Sequence, residues 1–320
     1  MRYPAEPDPF PSPPPGSPPA SSPRKMVVSA AARTDRGQER ADNQDRAVLA
    51  DAANALAWEP PAALATAVDP SGGFYALVCD GMGGEAGGAI ASGLAIETIV
   101  GAMRARWVQR SVQSEESLAV DESRVALSLI ASLEAASARI QRAAREEPEY
   151  ARMGTTATLA VIAHGTLLCA QIGDSRAYVL RAGRIVQITE DQTMAEYLRK
   201  SGAVPPEQIA SIVGPNVILQ ALGSSTRLEV AVTRTPLAQG DVVLVCSDGL
   251  YGCVDDREIA GLVGTSSDLA TACERLVAKA NEMGGPDNIS CAAFHVVDAG
   301  LPAPSSPPAT TFLTPPLMFR

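Results

Sequence analysis

Short apolar runs rich in β-branched residues recur along the middle of this chain, each bounded by glycine, aspartate or asparagine. FYALVC (74–79), TATLAVIA (156–163), TLLCAQI (166–172), RAYVLR (176–181), RIVQI (184–188), LEVAVT (228–233), DVVLVC (241–246) and ISCAAFHVV (289–297) have the length and make-up of strands. The junctions AHGT (163–166) and RAGR (181–184) are tight enough for hairpins. Three segments follow the helix period instead. Ala89, Gly93, Ile96, Val100, Met103 and Trp107 form one stripe, and Ala126, Ile130, Leu133, Ser137, Ile140 and Ala144 a second. Leu269, Cys273, Leu276, Ala280 and Met283 form a third, expected to start at a Ser267 cap and stop at Gly284.

The order is strand, two long helices, many strands, a helix and a last strand. Hairpin-linked strands favour antiparallel sheets, and amphipathic helices must cover something apolar. The expected class is therefore α+β, two packed antiparallel sheets flanked by helix pairs. Ten of the first 25 residues are proline, so 1–26 reads as a disordered arm. Residues 299–320, with six prolines, read as a similar tail, although TFLTPPLMFR is apolar enough for a weak docking contact. The globular unit is placed at 27–298.

Composition narrows the function classes. A net charge of −10, with scattered basic residues, argues against nucleic acid and anionic lipid as partners. Only 4% of residues are aromatic, so the core rests on Ala, Val, Leu and Ile. The six cysteines form no C-x-x-C pair and lie mostly in apolar runs, which reads as reduced thiols in a cytoplasmic protein. No apolar stretch looks long enough to span a bilayer.

The chemistry lies in carboxylates at strand ends. Asp80 ends FYALVC and precedes GMGG; Asp174 ends LLCAQIG; Asp248 ends DVVLVCS; Asp287 sits in GGPDN just before the last strand. Any one could be a turn residue or helix cap. Four at analogous places point to a hard divalent cation, because Mg²⁺ and Mn²⁺ take oxygen ligands and keep several waters. The two histidines, His164 and His295, are too few for a histidine-rich zinc site and fall in or beside apolar strands. GMGGEAGG lacks the Lys-Ser/Thr of a phosphate-binding P-loop. Asp80 can supply a carboxylate there, and Gly81 its carbonyl.

RTDRGQERADNQD (33–45), DGMGG (80–84), GTTAT (154–158), IGDSRAY (172–178), SDGLY (247–251) and GGPDNIS (284–290) occur in this order in the chain. In that order and over that span they resemble the protein phosphatase 2C (PPM) family, closest to its bacterial branch. The resemblance implies a four-layer αββα sandwich and a metal-dependent serine/threonine phosphatase. It implies Asp80 as the carboxylate bridging two Mn²⁺ or Mg²⁺ ions, Gly81 as a carbonyl ligand, and Asp248 and Asp287 as the other direct ligands. Asp45 matches the acid supporting metal-bound waters, Asp174 the acid of a third, weaker site, and Arg40 the arginine gripping substrate phosphate. The implied reaction is in-line attack by a hydroxide bridging two cations about 3.5–4 Å apart.

Two positions depart from the pattern. Gln44 stands where relatives often carry glutamate, which lowers the expected metal affinity. The histidine that many relatives use as leaving-group acid is absent, leaving Glu85 or a metal-bound water for that role. Residues 192–220 correspond to the family's flap, which helps choose substrates. The expected partners are phosphorylated proteins, substrates of a cognate Ser/Thr kinase, acted on by a monomer. Two other readings share parts of the pattern: a non-catalytic phosphoprotein-binding regulator, and a hydrolase of small phosphate esters.

Overall fold

The computed structural model describes residues 26–68, 73–84, 86–113, 122–214, 216–224, 227–297, 300–304 and 306–314. In chain order the strands and helices are β1 (Met26–Asp35), β2 (Arg46–Asp51), β3 (Leu56–Trp58), β4 (Ala62–Val68), β5 (Phe74–Cys79), β6 (Gly81–Met82), α1 (Gly87–Gln113) and α2 (Glu122–Glu146). Then come β7 (Gly154–Thr155), β8 (Ala157–Ala163), β9 (Thr166–Ile172), β10 (Arg176–Arg181), β11 (Arg184–Gln187), α3 (Met194–Ser201) and α4 (Pro206–Ile212). The chain continues with β12 (Ala231–Pro236), β13 (Val242–Cys246), α5 (Asp248–Tyr251), α6 (Asp256–Gly264), α7 (Leu269–Glu282), β14 (Ile289–Val297) and β15 (Thr311–Thr314).

One sheet has the order β11-β10-β13-β14-β1-β4 and the other β15-β12-β9-β8-β5-β2-β3; every pairing in them is antiparallel. A two-stranded piece, β6-β7, sits apart. The all-apolar strands have no polar face because neither face meets water. In β5, Phe74, Ala76 and Val78 join the core between the sheets, while Tyr75, Leu77 and Cys79 join the core under α1 and α2. In β14, Ala292, Phe294 and Val296 face the inter-sheet core, while Ile289, Cys291 and Ala293 face α5–α7. Three cores between four layers give the expected sandwich.

Several local expectations hold. His164-Gly165 and Ala182-Gly183 all have positive φ, the geometry of the two-residue hairpin turn whose twist matches its strands. The buried face of α2 runs through Ala126, Leu133, Ser137 and Ile140 as the period predicted.

Other details differ. In α1 the predicted stripe is buried at Ile96, Met103 and Trp107, whereas Ala89, Gly93 and Val100 are only half-buried and Ala91, Ala95 and Ile99 complete the covered face. The cap of α7 is Asp268, which accepts from Thr271 N at 2.8 Å, and not Ser267. The run LEVAVT pairs only from Ala231, because its register against β9 sets Ala231 opposite Gln171 and Pro236 opposite Thr166. α1 does contain a segment, Gly87–Trp107, long and apolar enough to cross a membrane by length and composition. Here it packs on α2 and the seven-stranded sheet instead.

The folded chain also runs past Asp298. Leu301 enters the inter-sheet core, Gln239 N donates to Pro302 O, and β15 adds an edge strand against β12. The arm expected over 1–26 lies outside the described residues except for Met26, which opens β1 and is buried.

Candidate metal centre

The strand ends of both sheets meet at one rim of the sandwich. Asp80 follows β5, and its backbone is clamped by threonines of GTTAT. Asp80 N donates to Thr156 Oγ1 (2.9 Å), while Asp80 O accepts from Thr156 N and Thr155 Oγ1 (both 2.8 Å). Gly81 comes next, in β6 opposite Thr155. A Cβ there would lie 2.2 Å from Gly88 O and 2.6 Å from Gln44 O, so only glycine fits.

Asp174 follows Gly173, whose φ of +93° lets the chain turn beside Thr156. Its backbone oxygen accepts from Tyr251 Oη at 3.0 Å. Asp248 opens α5 immediately after β13, and Asp287 sits just before β14. Asp80, Gly81, Asp174, Asp248 and Asp287 line a shared recess of about 430 Å³ with Arg40. Arg40 Nη2 donates to Asp287 Oδ2 at 2.6 Å.

Asp45 is fully buried behind the recess. Its Oδ2 accepts from Ser247 Oγ at 2.6 Å, and its Oδ1 has no hydrogen-bond partner. Ser247 is itself held by Ser290 N, which donates to its hydroxyl at 3.0 Å. Asp248 Oδ1 is likewise buried without a partner.

Burial, opposed by the hydroxyls of Ser247 and Ser290 and reinforced by Asp248 and Asp287, raises the Asp45 carboxyl to about 7. Burial and the charge of Asp248 raise Asp174 to about 7 as well. Asp80 stands well above the carboxylate range, through burial and then the charges of Asp45, Asp248, Asp174 and Asp287. Asp248 is raised by burial and by Asp287, and hydrogen bonding with Asp80 offsets part of that rise.

These residues fit a hard divalent cation. The donors are all oxygen, two buried carboxylate oxygens lack partners, and the mutual repulsion of the carboxylates is what a cation relieves. The carboxylates surround the recess rather than closing on one point among the described residues, and Arg40 competes for Asp287.

Several residues of the quoted motifs prove to position the site through contacts that the motifs alone do not show. Asn288 ties the two ends of the chain together: its Oδ1 accepts from Gln44 N (2.8 Å), and its Nδ2 donates to Arg36 O (2.8 Å) and Asp42 O (2.9 Å). Gly37, at φ +79°, packs so closely that a Cβ would fall 2.1 Å from Asp287 O. Gln44 Nε2 donates to Gly84 O at 2.8 Å, which gives the departing amide a structural partner in the glycine turn. Glu85 lies outside the described residues. His164 and His295 are in a hairpin turn and in β14, and neither lines the recess.

The segment 192–220 closes on itself. Met194 N donates to Val217 O and Leu219 N to Gln192 O (both 2.8 Å), so α3 and α4 stand out on a stapled base beside the recess.

The family description Protein phosphatase 2C matches residues 63–284. The serine/threonine protein phosphatase PstP of Mycobacterium tuberculosis is 32% identical over 277 residues, covering 85% of this chain and 46% of PstP. The chain thus spans about half the length of that relative. The protein phosphatase PhpP of Streptococcus pneumoniae is 30% identical over 259 residues, covering 81% of this chain and 94% of PhpP. The crystal structure of the PstP catalytic domain in complex with two manganese ions superposes with a TM-score of 0.65 at 31% identity, covering 85% of this chain and all of that one. The Streptococcus agalactiae serine/threonine phosphatase superposes at 0.68 with 26% identity, covering 83% and 98%.

Proposed function

The chain belongs to the protein phosphatase 2C family, and from that premise we propose that it is a metal-dependent phosphatase of phosphoserine and phosphothreonine in proteins. The observation that carries this reading is the carboxylate cluster itself. Asp80 and Asp248 face the same recess, Asp248 and Asp45 each present a buried unpartnered oxygen, and Arg40 lines the recess beside them.

In this reading Asp80, Asp248, Asp287 and the Gly81 carbonyl hold two divalent cations, Mn²⁺ or Mg²⁺. Asp45 supports them from behind, and Asp174 serves a third, weaker site. When bound, such cations neutralise phosphoryl charge and acidify water. Arg40 swings from Asp287 to the phosphate, a task that suits its planar fork of donors. In this reading the carboxylates are engaged as ligands, no cysteine or histidine lines the recess among the described residues, and water attacks phosphorus in line. Thr155 and Thr156 keep Asp80 from drifting as charge moves through the site. The substrates are phosphoproteins of a cognate Ser/Thr kinase in the cytoplasm, and the enzyme works as a monomer.

The test is phosphate release from phosphothreonine peptides by chelator-treated protein to which Mn²⁺ is restored, with calorimetry of Mn²⁺ binding alongside. Release that no more than equals that of Asp80→Asn, or an absence of Mn²⁺ binding, removes the proposal.

A further inference from the structure

A second cavity, of about 790 Å³, opens from the acidic recess toward α3 and α4. It shares Arg40, Asp174, Asp248 and Asp287 with the recess, so the two spaces adjoin. Its volume exceeds what a phosphoryl group and one short side chain would fill.

The walls beyond the carboxylates are electrically quiet. Arg176 is held by Asp191 through Nε (2.9 and 3.2 Å) and Nη2 (2.6 Å), and its guanidinium lies 3.7 Å over the Tyr251 ring. Arg199 is paired with Glu196 one turn away on α3. With those charges matched, no net charge is offered to a ligand there. What α4 and the chain after it offer is apolar: Pro206, Ile209, Ala210 and Val213 line the cavity. Ile212 and Val217, next in sequence to the lining residues Val213 and Asn216, are 59% and 45% exposed.

We infer that this cavity is a side-chain subsite that takes an aliphatic or aromatic residue flanking the phosphorylated residue of a peptide substrate. The inference rests on the phosphatase reading and adds a substrate preference to it. The occupant follows from continuity and charge. The larger cavity adjoins the recess along Arg40, Asp174, Asp248 and Asp287, and beyond those groups a charged flanking residue finds no unpaired partner on its walls. An apolar one covers Ala210 and Val213 and removes exposed apolar surface from water. α4 thus acts on specificity and not on the chemical step.

The test uses the full chain with Mn²⁺ and phosphothreonine peptides in which one leucine is scanned through the flanking positions of an otherwise Gly- and Ser-flanked sequence. At one position leucine should raise kcat/KM about tenfold, mainly through KM, and aspartate or lysine there should not. Ala210→Glu, at an exposed helical position that tolerates glutamate, and Val213→Asp should each erase the advantage. Turnover of p-nitrophenyl phosphate, which is too small to reach α4, should stay within about twofold. Equal kcat/KM for all flanking residues, a preference for charged flanks, or an advantage that survives both substitutions overturns the inference while leaving the phosphatase reading intact. Absence of turnover on the small ester as well removes the phosphatase reading and this inference with it.

Discussion

The Ser247 hydroxyl donates to one oxygen of Asp45 at 2.6 Å and leaves the other buried and without a partner. Ser247 thereby holds the Asp45 carboxyl with one oxygen engaged and the other left open. Ser247→Ala should weaken Mn²⁺ binding by about 10- to 100-fold, the usual scale for a residue that orients a ligand from behind. Calorimetry on the variant reads this directly. Unchanged affinity would mean that Asp45 plays no part in holding the ion.

Arg40 pairs with Asp287 across almost the whole chain. Arg40→Ala should lower kcat/KM on phosphopeptides by about 10- to 100-fold. Arg40→Lys should recover little of it, because a point charge cannot grip two phosphate oxygens as a planar fork does. Full rescue by lysine would reduce the residue to a general positive charge.

The pH dependence of the chelated protein follows from its raised carboxyls. Asp45 and Asp174 move from 3.8 to about 7, so the folded chain holds protons that the unfolded chain releases. Their burial therefore costs least at low pH, and the cost grows as pH rises from about 4 to 7. In chelator, Tm should fall by several degrees between pH 5 and pH 7.5. Glu122, whose lowered carboxyl favours the fold above its own range, is already ionised throughout that window. Added Mn²⁺ should raise Tm more at pH 7.5 than at pH 5, since its ligands must be deprotonated. Scanning fluorimetry at the two pH values checks both signs.

Gly37→Ala should be costly out of proportion to one methyl group. It places a Cβ 2.1 Å from Asp287 O at a φ of +79°. A loss of about 1–3 kcal/mol in stability is expected, together with weaker Mn²⁺ binding, because the loop carrying Asp287 must shift. Denaturant melts with and without Mn²⁺ separate the two effects.

Ending the chain after Val297 should expose β12. Leu301 would leave the inter-sheet core and the pairing of β15 with β12 would be lost. An unpaired edge strand recruits other strands, so the shortened protein should melt earlier and self-associate. Light scattering during a thermal ramp measures this.

The sequence made the strands of densest apolar character legible, since FYALVC and ISCAAFHVV leave no other option for burying both faces. It was silent on β1, β2 and β4. MVVSAAARTD and AALATAV are alanine-rich, with little strand preference of their own, and they are strands because β14 and its neighbours supply partners. The four strand-end aspartates could be read from position alone, whereas Asp45 and Arg40 came only with the family resemblance. Ser247, Asn288, Thr156 and Gly37 lie inside the motifs of the resemblance, but they act through contacts between segments far apart in sequence, so their roles could not be read from those motifs.

The pairing of β1 with β14 sets Val27 opposite Val297. On a ribosome, the strand made first must wait for nearly the whole remaining chain before it finds its neighbour, and Asp45 waits likewise for Ser247, Asp287 and Asn288. The β2-β3 and β8-β9 pairs of the seven-stranded sheet can form earlier. The acidic centre therefore cannot assemble before Ser247, Asp287 and Asn288 have all been made.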